Sequence, residues 1–387
     1  MNASHFVRLC VTGLFAIFSS TIAKSPVLPL YSLSIGIGAA GIGVVSAVSS
    51  FTGIIASIPS GMMAERIGKK RMLTIATLIF ATAPFLYLLV DNVRQLVMVR
   101  FYHGLATAIF MPVALSMVSD VFAKERGEKI GWFSTATLLG RFIAPMVGGG
   151  IIGLMAFNPK MSYNVVYLVC GFVGILSLVT LPSIPREVRD AHNTVSWRDI
   201  LGRLRQLLTV KGVIITSVVE GAVLFSYGAF ETFLPLYAIS VGLSPYQIGM
   251  ILSIQVISIA LTKPFMGRFS DKHGRVPQIF AGGIIGAICV YGFSLSATFI
   301  PMLVLSVFFG LSISVVTSAT SALIADLSKR ESLASAMGIL ASVMDIGHTT
   351  GPLVCGVIAT YLSYSSVFIF AAIVLLSCAL VFKLAMR

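Results

Sequence analysis

Twelve apolar stretches, each of roughly the 20 residues a bilayer-crossing helix needs, divide this chain of 387 residues. Within hydrocarbon a backbone must satisfy its own polar groups, so each stretch is read as a helix. The spans are predicted near 6–33, 39–63, 72–90, 95–119, 130–156 and 163–182, then near 211–239, 245–266, 277–297, 300–325, 333–360 and 364–384. The fold class that follows is an all-α membrane protein, with twelve transmembrane helices in two pseudo-symmetric six-helix bundles. Only 11% of the residues are charged, against about 25% in a soluble domain.

Charge placement orients these spans. With both termini in the cytoplasm, the segments on that side hold nearly all of the 27 basic residues, from Arg8 through Arg66–Arg71, Lys124–Lys129, the 183–211 link, Lys263–Arg275 and Lys329 to Arg387. Arg94 and Lys160 fall on the other side, and Lys24, Arg100 and Arg141 fall within spans. This asymmetry follows the positive-inside rule and implies a multi-pass protein of the cell (inner) membrane. The net charge of +13 is spread between apolar spans rather than gathered on one face, which excludes a nucleic-acid surface. Arg8 followed by an apolar run imitates a secretory leader. That run has a counterpart later in the chain, so it is read as the first span.

The counterpart belongs to an internal repeat. Leu28-Pro29-Leu30-Tyr31 recurs as Leu234-Pro235-Leu236-Tyr237, a shift of 206. Gly61, Gly104 and Asp120 recur at the same shift as Gly267, Gly310 and Asp326; Gly131 and Gly140 recur as Gly338 and Gly347, shifted by 207. The predicted domains are therefore 1–182 and 211–387, joined by a cytoplasmic link over 183–210. Within the link Trp197, Ile200, Leu201, Leu204, Leu207 and Leu208 share a helical face, and Ser196 with Asp199 resembles a capping box, so a short amphipathic helix is predicted there.

Three motifs carry a family resemblance. After span 2 stands Gly61-Met62-Met63-Ala64-Glu65-Arg66-Ile67-Gly68-Lys69-Lys70-Arg71, and after span 8 Gly267-Arg268-Phe269-Ser270-Asp271-Lys272-His273-Gly274-Arg275. Both are similar to the loop G-x-x-x-D-R-x-G-R-[RK] of the major facilitator superfamily, with Glu65 in place of the usual Asp. Span 5 carries Gly131, Gly140, Pro145, Gly148 and Gly149 in the pattern G-x8-G-x3-G-P-x2-G-G, with Ala144 replacing one Gly. It resembles the antiporter motif of proton-coupled drug exporters, and its spacing returns in span 11 as Gly338, Gly347, Gly351, Pro352 and Gly356. Arg100 and Gly104 match R-x-x-Q-G, with His103 for Gln.

The resemblance implies a secondary active transporter in which Gly61, Glu65, Arg66, Gly68, Gly267, Asp271, Gly274 and Arg275 form a cytoplasmic gate; Asp120 and Asp326, which end spans 4 and 10 at that face, read as gate partners for Arg or Lys rather than substrate ligands. It implies a role in proton transfer for Arg100. Physically, Gly61 and Gly267 are expected to let helices touch, and the small residues of span 5 to give a bendable, closely packed helix.

Ionisable groups at membrane depth cost at least about 2.5–3.5 kcal/mol on insertion scales, so each is a functional candidate. The set expected to bind substrate or protons is Lys24, Arg100, Arg141, Glu220, Glu231, Asp345 and His348. Glu220 and Glu231 lie three turns apart on one face of span 7, and His348 follows Asp345 by three, which makes it the expected partner of Asp345. Glu231 and Asp345 read as groups for proton coupling or substrate charge recognition, or as half of a fixed ion pair, and Glu220 as one of that set or as a gate or hydrated residue. Lys24 and Arg141 read as anion contacts or carboxylate partners, and Arg100 either acts in the site or snorkels. Phe225, Tyr227 and Phe230 are candidates to line a cavity.

The leading functional expectation is a proton-coupled antiporter exporting a small amphipathic or drug-like compound. The alternative is a proton-coupled carrier of an anionic metabolite held by Lys24, Arg100 and Arg141. No nucleophile–base set, metal-ligand spacing or ATP-binding loop is apparent, so an enzyme is not expected, nor a metal or other cofactor; a proton gradient supplies the energy. The expected partners are substrate, proton and lipid bilayer, the chain acting as a monomer.

Overall fold

The computed structural model describes residues 3–122, 125–181, 211–328 and 333–386. Among them every regular element is helical. The helices are α1 (Ala3–Ile22), α2 (Val27–Ser34), α3 (Ala39–Ile67), α4 (Lys69–Leu86), α5 (Val93–Val121), α6 (Arg126–Leu154), α7 (Pro159–Thr180), α8 (Lys211–Ser240), α9 (Pro245–His273), α10 (Arg275–Leu295), α11 (Phe299–Leu327), α12 (Leu333–Tyr361) and α13 (Tyr364–Ala385). The amphipathic helix expected in the 183–210 link lies outside the described residues.

Eleven spans among the described residues are long and apolar enough to cross a membrane. They match the predicted spans except the eleventh, α12, which carries Asp345, His348, Thr349 and Thr350 at its middle and falls short in hydropathy. The first span departs from expectation in another way. It is broken between Ile22 and Val27, so α1 and α2 together make one crossing. Pro26 lacks the N–H that would continue the ladder and its ring clashes with the preceding turn, which is enough to interrupt a helix. Lys24 sits in that break.

Local sequence sets several boundaries. The side chains of Asn92, Asn158 and Ser363 accept the backbone N–H three residues on and so cap α5, α7 and α13. Gly36 and Gly68 have φ of 80° and 100°, and Gly242 and Gly274, their counterparts at a shift of 206, each have φ of 90°. The two halves thus turn at equivalent glycines, in a region of backbone space that side chains rarely adopt.

The helices gather into two compact units, Met1–Asp190 with Ser244–Ser253, and Ala191–Leu243 with Ile254–Arg387. In the first, α1 packs on α6, α3 on α5, and α4 on both α5 and α7. Leu9, Phe80, Phe110, Met117 and Phe133 are fully buried in its core. In the second, α8 packs on α12 and α13, and α10 on α11 and α13. Phe230 is fully buried there, its ring centroid 5.1 Å from Phe293 and 5.2 Å from Phe309. Phe225 is likewise buried. Neither is a free cavity wall, because both rings are spent on packing α8 against its neighbours.

The glycine-rich helices explain how closely these pairs pack. A methyl group on Gly140 of α6 would stand 2.5 Å from the Leu14 carbonyl of α1. The same group on Gly347 of α12 would collide with the Gly221 carbonyl of α8, and on Gly351 with that of Phe225. Gly148 faces Ile22 and Val27, and Gly149 faces the Pro245 carbonyl inside the first unit. Gly131 and Gly338 face open space, as do Gly61 and Gly267. At Gly61 and Gly267 a Cβ would meet no described residue of its own unit, so the helix contact expected of these glycines is not made within either half.

Candidate functional site

In the second unit, α8 and α12 bring together two titratable residues that lie 117 positions apart. His348 Nε2 stands 3.2 Å from Glu231 Oε2. Tyr227, one turn before Glu231, stacks on the imidazole with centroids 5.4 Å apart and planes 19° from parallel. Gly228 permits this approach, since a methyl group there would stand 2.8 Å from the His348 carbonyl and 2.9 Å from Pro352. The side chains retain 11% exposure for Glu231 and 18% for His348, so the pair is largely desolvated yet open to exchange. The expected pairing of His348 with Asp345 is not formed. Asp345 is half-buried and has no hydrogen-bond or ion-pair partner among the described residues.

Glu220 lies deeper, 1% exposed, three turns along α8. The Thr320 hydroxyl of α11 donates to its carboxylate. The same hydroxyl lies 2.9 Å from the Val316 carbonyl, the usual bond of a helical threonine. One hydrogen serves both acceptors only as a weakened three-centre bond. A Glu220 carrying a proton satisfies the set, donating to Thr320 while Thr320 donates to Val316.

In the first unit Arg100 is 2% exposed. Its guanidinium donates to the Ser49 hydroxyl and, at 3.3 Å, to the Tyr87 hydroxyl. Tyr87 in turn lies 3.3 Å from His103 Nδ1. The Tyr87 hydroxyl that accepts from Arg100 still has its own hydrogen to give, and donating it to His103 Nδ1 requires the tautomer with the ring hydrogen on Nε2. Tyr87 stacks on Tyr167 at 4.4 Å. Snorkelling is excluded for Arg100, because hydroxyl groups hold its head inside the bundle. Lys24 is half-buried at the break between α1 and α2, while Arg141 is exposed on α6. Arg100 and Arg141 share no partner among the described residues.

At the loops after α3 and α9 the two halves make matching bridges. Lys69 pairs with Asp120, and Arg275 Nε lies 3.1 Å from Asp326 Oδ2; the two bridges are related by the 206 shift. Arg275 also bonds Asp271 and, at 2.9 Å, the Ser270 hydroxyl. In the first copy Glu65 is exposed and has no partner among the described residues, so the bridge there runs through Lys69 alone. Lys69 was not among the expected gate residues, although the repeat offset places it on Arg275.

Titratable side chains held on the spans of a multi-pass helical protein are the build of a membrane carrier. The Major Facilitator Superfamily model matches residues 9–244 and 219–387, and the chain belongs to that superfamily, whose members are transporters rather than enzymes. An uncharacterized MFS-type transporter of Methanocaldococcus jannaschii is 26% identical over 361 residues, covering 90% of each chain. Multidrug resistance protein 2 of Bacillus subtilis is 22% identical over 371 residues, 95% of this chain and 92% of that one. Among solved structures, a bacterial homolog of the human lysosomal transporter Spinster, in an inward-facing and unoccupied conformation, superposes with a TM-score of 0.83 at 15% identity, covering 100% of this chain and 98% of that one.

Proposed function

We propose that this protein is a proton-coupled antiporter that exports a small amphipathic compound across the cell membrane by alternating access. The observation that carries the reading is the Glu231–His348 pair, two titratable groups 3.2 Å apart on packed spans and still partly exposed. The carboxylate accepts the imidazole N–H. Taking up one proton raises the charge of the pair by one and alters that bond, so the state of the pair reports whether a proton is bound. Glu220 and Asp345 supply further carboxylates on the same two helices. The Bacillus subtilis multidrug resistance relative supports the substrate class, and a Lactococcus lactis relative named as a multi-drug resistance efflux pump homolog supports the direction.

The carrier of an anionic metabolite is less favoured by the geometry. It needs Lys24, Arg100 and Arg141 to converge, whereas Arg100 is sealed by Ser49 and Tyr87 and Arg141 is exposed.

The test is flux of a lipophilic dye in proteoliposomes under an imposed pH gradient, for the native chain, Glu231→Gln and His348→Asn. The expected result is gradient-driven flux for the native chain and leak alone for both variants. Flux indifferent to the gradient would remove proton coupling. Intact driven flux in both variants would move the proton site elsewhere.

A further inference from the structure

A second site lies in the first unit, away from the carboxylates of α8 and α12. A cavity of about 620 Å³ runs between α1 and α6. Cys10 and Leu14 line it from α1, and Trp132 and Leu139 from α6. Phe6 and Leu14, both in its wall, are eight residues apart on α1, so the groove runs on the order of 12 Å along the helix. Trp132 is 60% exposed and Leu139 46%, which leaves one flank open.

The polar end of this groove is built around an ammonium. Lys129 Nζ lies 3.1 Å from Glu125 and 3.3 Å from Glu128. It also stands 5.7 Å from the Phe6 ring centroid and 5.8 Å from that of Phe122. Two carboxylates and two aromatic faces are the groups that recognise an organic cation. A lysine side chain is itself an alkylammonium, so Lys129 shows how such a cation is seated. Its long stem comes from the first turn of α6, where it can swing away.

We propose that this groove binds an alkylammonium amphiphile, which displaces the Lys129 ammonium and lays its chain along Cys10, Leu14 and Leu139. Lys129 is then a tethered competitor. An anionic amphiphile is disfavoured, because it would bring its charge against Glu125 and Glu128, whereas an alkylammonium replaces in kind the contact those carboxylates make with Lys129. The site stands independently of proton coupling, and its loss and the loss of gradient-driven flux are separate results.

The sequence supplies the probe. The chain has two tryptophans, so Trp197→Phe leaves Trp132 as the sole reporter. The full chain in phosphatidylcholine nanodiscs is titrated with decyltrimethylammonium while Trp132 emission is followed. We expect a saturable change, with slower labelling of Cys10 by N-ethylmaleimide. Lys129→Gln should tighten binding about threefold or more, and Glu125→Gln with Glu128→Gln should weaken it about tenfold. Decyl sulfate should give no saturable change. Weaker binding in Lys129→Gln, saturable binding of decyl sulfate, or a purely linear partitioning response would each overturn the proposal. If the double variant does not fold, the sign of the Lys129→Gln effect decides alone.

Discussion

Gly338 and Gly347 belong to the same sequence motif on the same helix, and the structure gives them opposite responses to one added methyl group. A Cβ at 338 meets open space, so Gly338→Ala only removes the conformational freedom of glycine in a helix, a gain of up to about 1 kcal/mol. A Cβ at 347 falls on the Gly221 carbonyl, which is backbone and cannot turn aside as a side chain would. Relief requires α8 and α12 to part, which also opens the contact of Gly351 with Phe225. Overpacking of this kind costs roughly 1–3 kcal/mol, which places the two variants roughly 1–4 kcal/mol apart. For a unit of this size that is on the order of 2–15 °C in apparent Tm. The assay is thermal unfolding of the purified chain read by a thiol-reactive fluorophore, for which the buried Cys170, Cys289 and Cys355 are native reporters. Gly131→Ala and Gly140→Ala should repeat the order in the first half. Equal losses at 338 and 347, or an unchanged Tm for Gly347→Ala, would refute the packing argument and with it the claim that motif glycines serve helix contact inside each unit.

Two further outcomes can be measured on the same material. Tyr87→Phe removes the hydroxyl between Arg100 and His103 and strands buried polar atoms on both, so it should lower stability by about 1–3 kcal/mol, while Tyr102→Phe, at a part-exposed hydroxyl, should cost less than about 1 kcal/mol. Gly68→Ala and Gly274→Ala force a side chain into positive-φ backbone and should each cost on the order of 1–3 kcal/mol, whereas Gly61→Ala and Gly267→Ala, in open space, should be neutral or stabilising.

The spans and their repetition were legible because they rest on long-range regularities: apolar runs of fixed length and an offset that stays at 206–207. That same regularity, together with the loop motif, makes Lys69 the counterpart of Arg275. The break at Lys24 was written locally in Pro26, but a hydropathy window averages over a single proline. The site was less accessible. Spacing along α12 correctly put Asp345 and His348 on one face. It could not say that Gly228 lets α12 come close enough for His348 to reach Glu231 on another helix instead. Arg100 carries a similar lesson, since Ser49 and Tyr87 come from other parts of the chain and are ordinary polar residues until the fold assembles them.

The stitching of α8 to α12 has a mechanical consequence. Gly347 meets Gly221, Gly351 meets Phe225, and Gly228 meets His348 and Pro352, so backbone touches backbone or ring over successive turns. Two rods keyed together in this way cannot slide or roll against each other without several collisions at once. They travel as a single spar. Glu231 and His348 are mounted on that spar from opposite rods, and no stroke within the unit pulls them apart. Whatever alters their bond has to arrive from outside the spar, as a proton, a solute or a change in the medium they face.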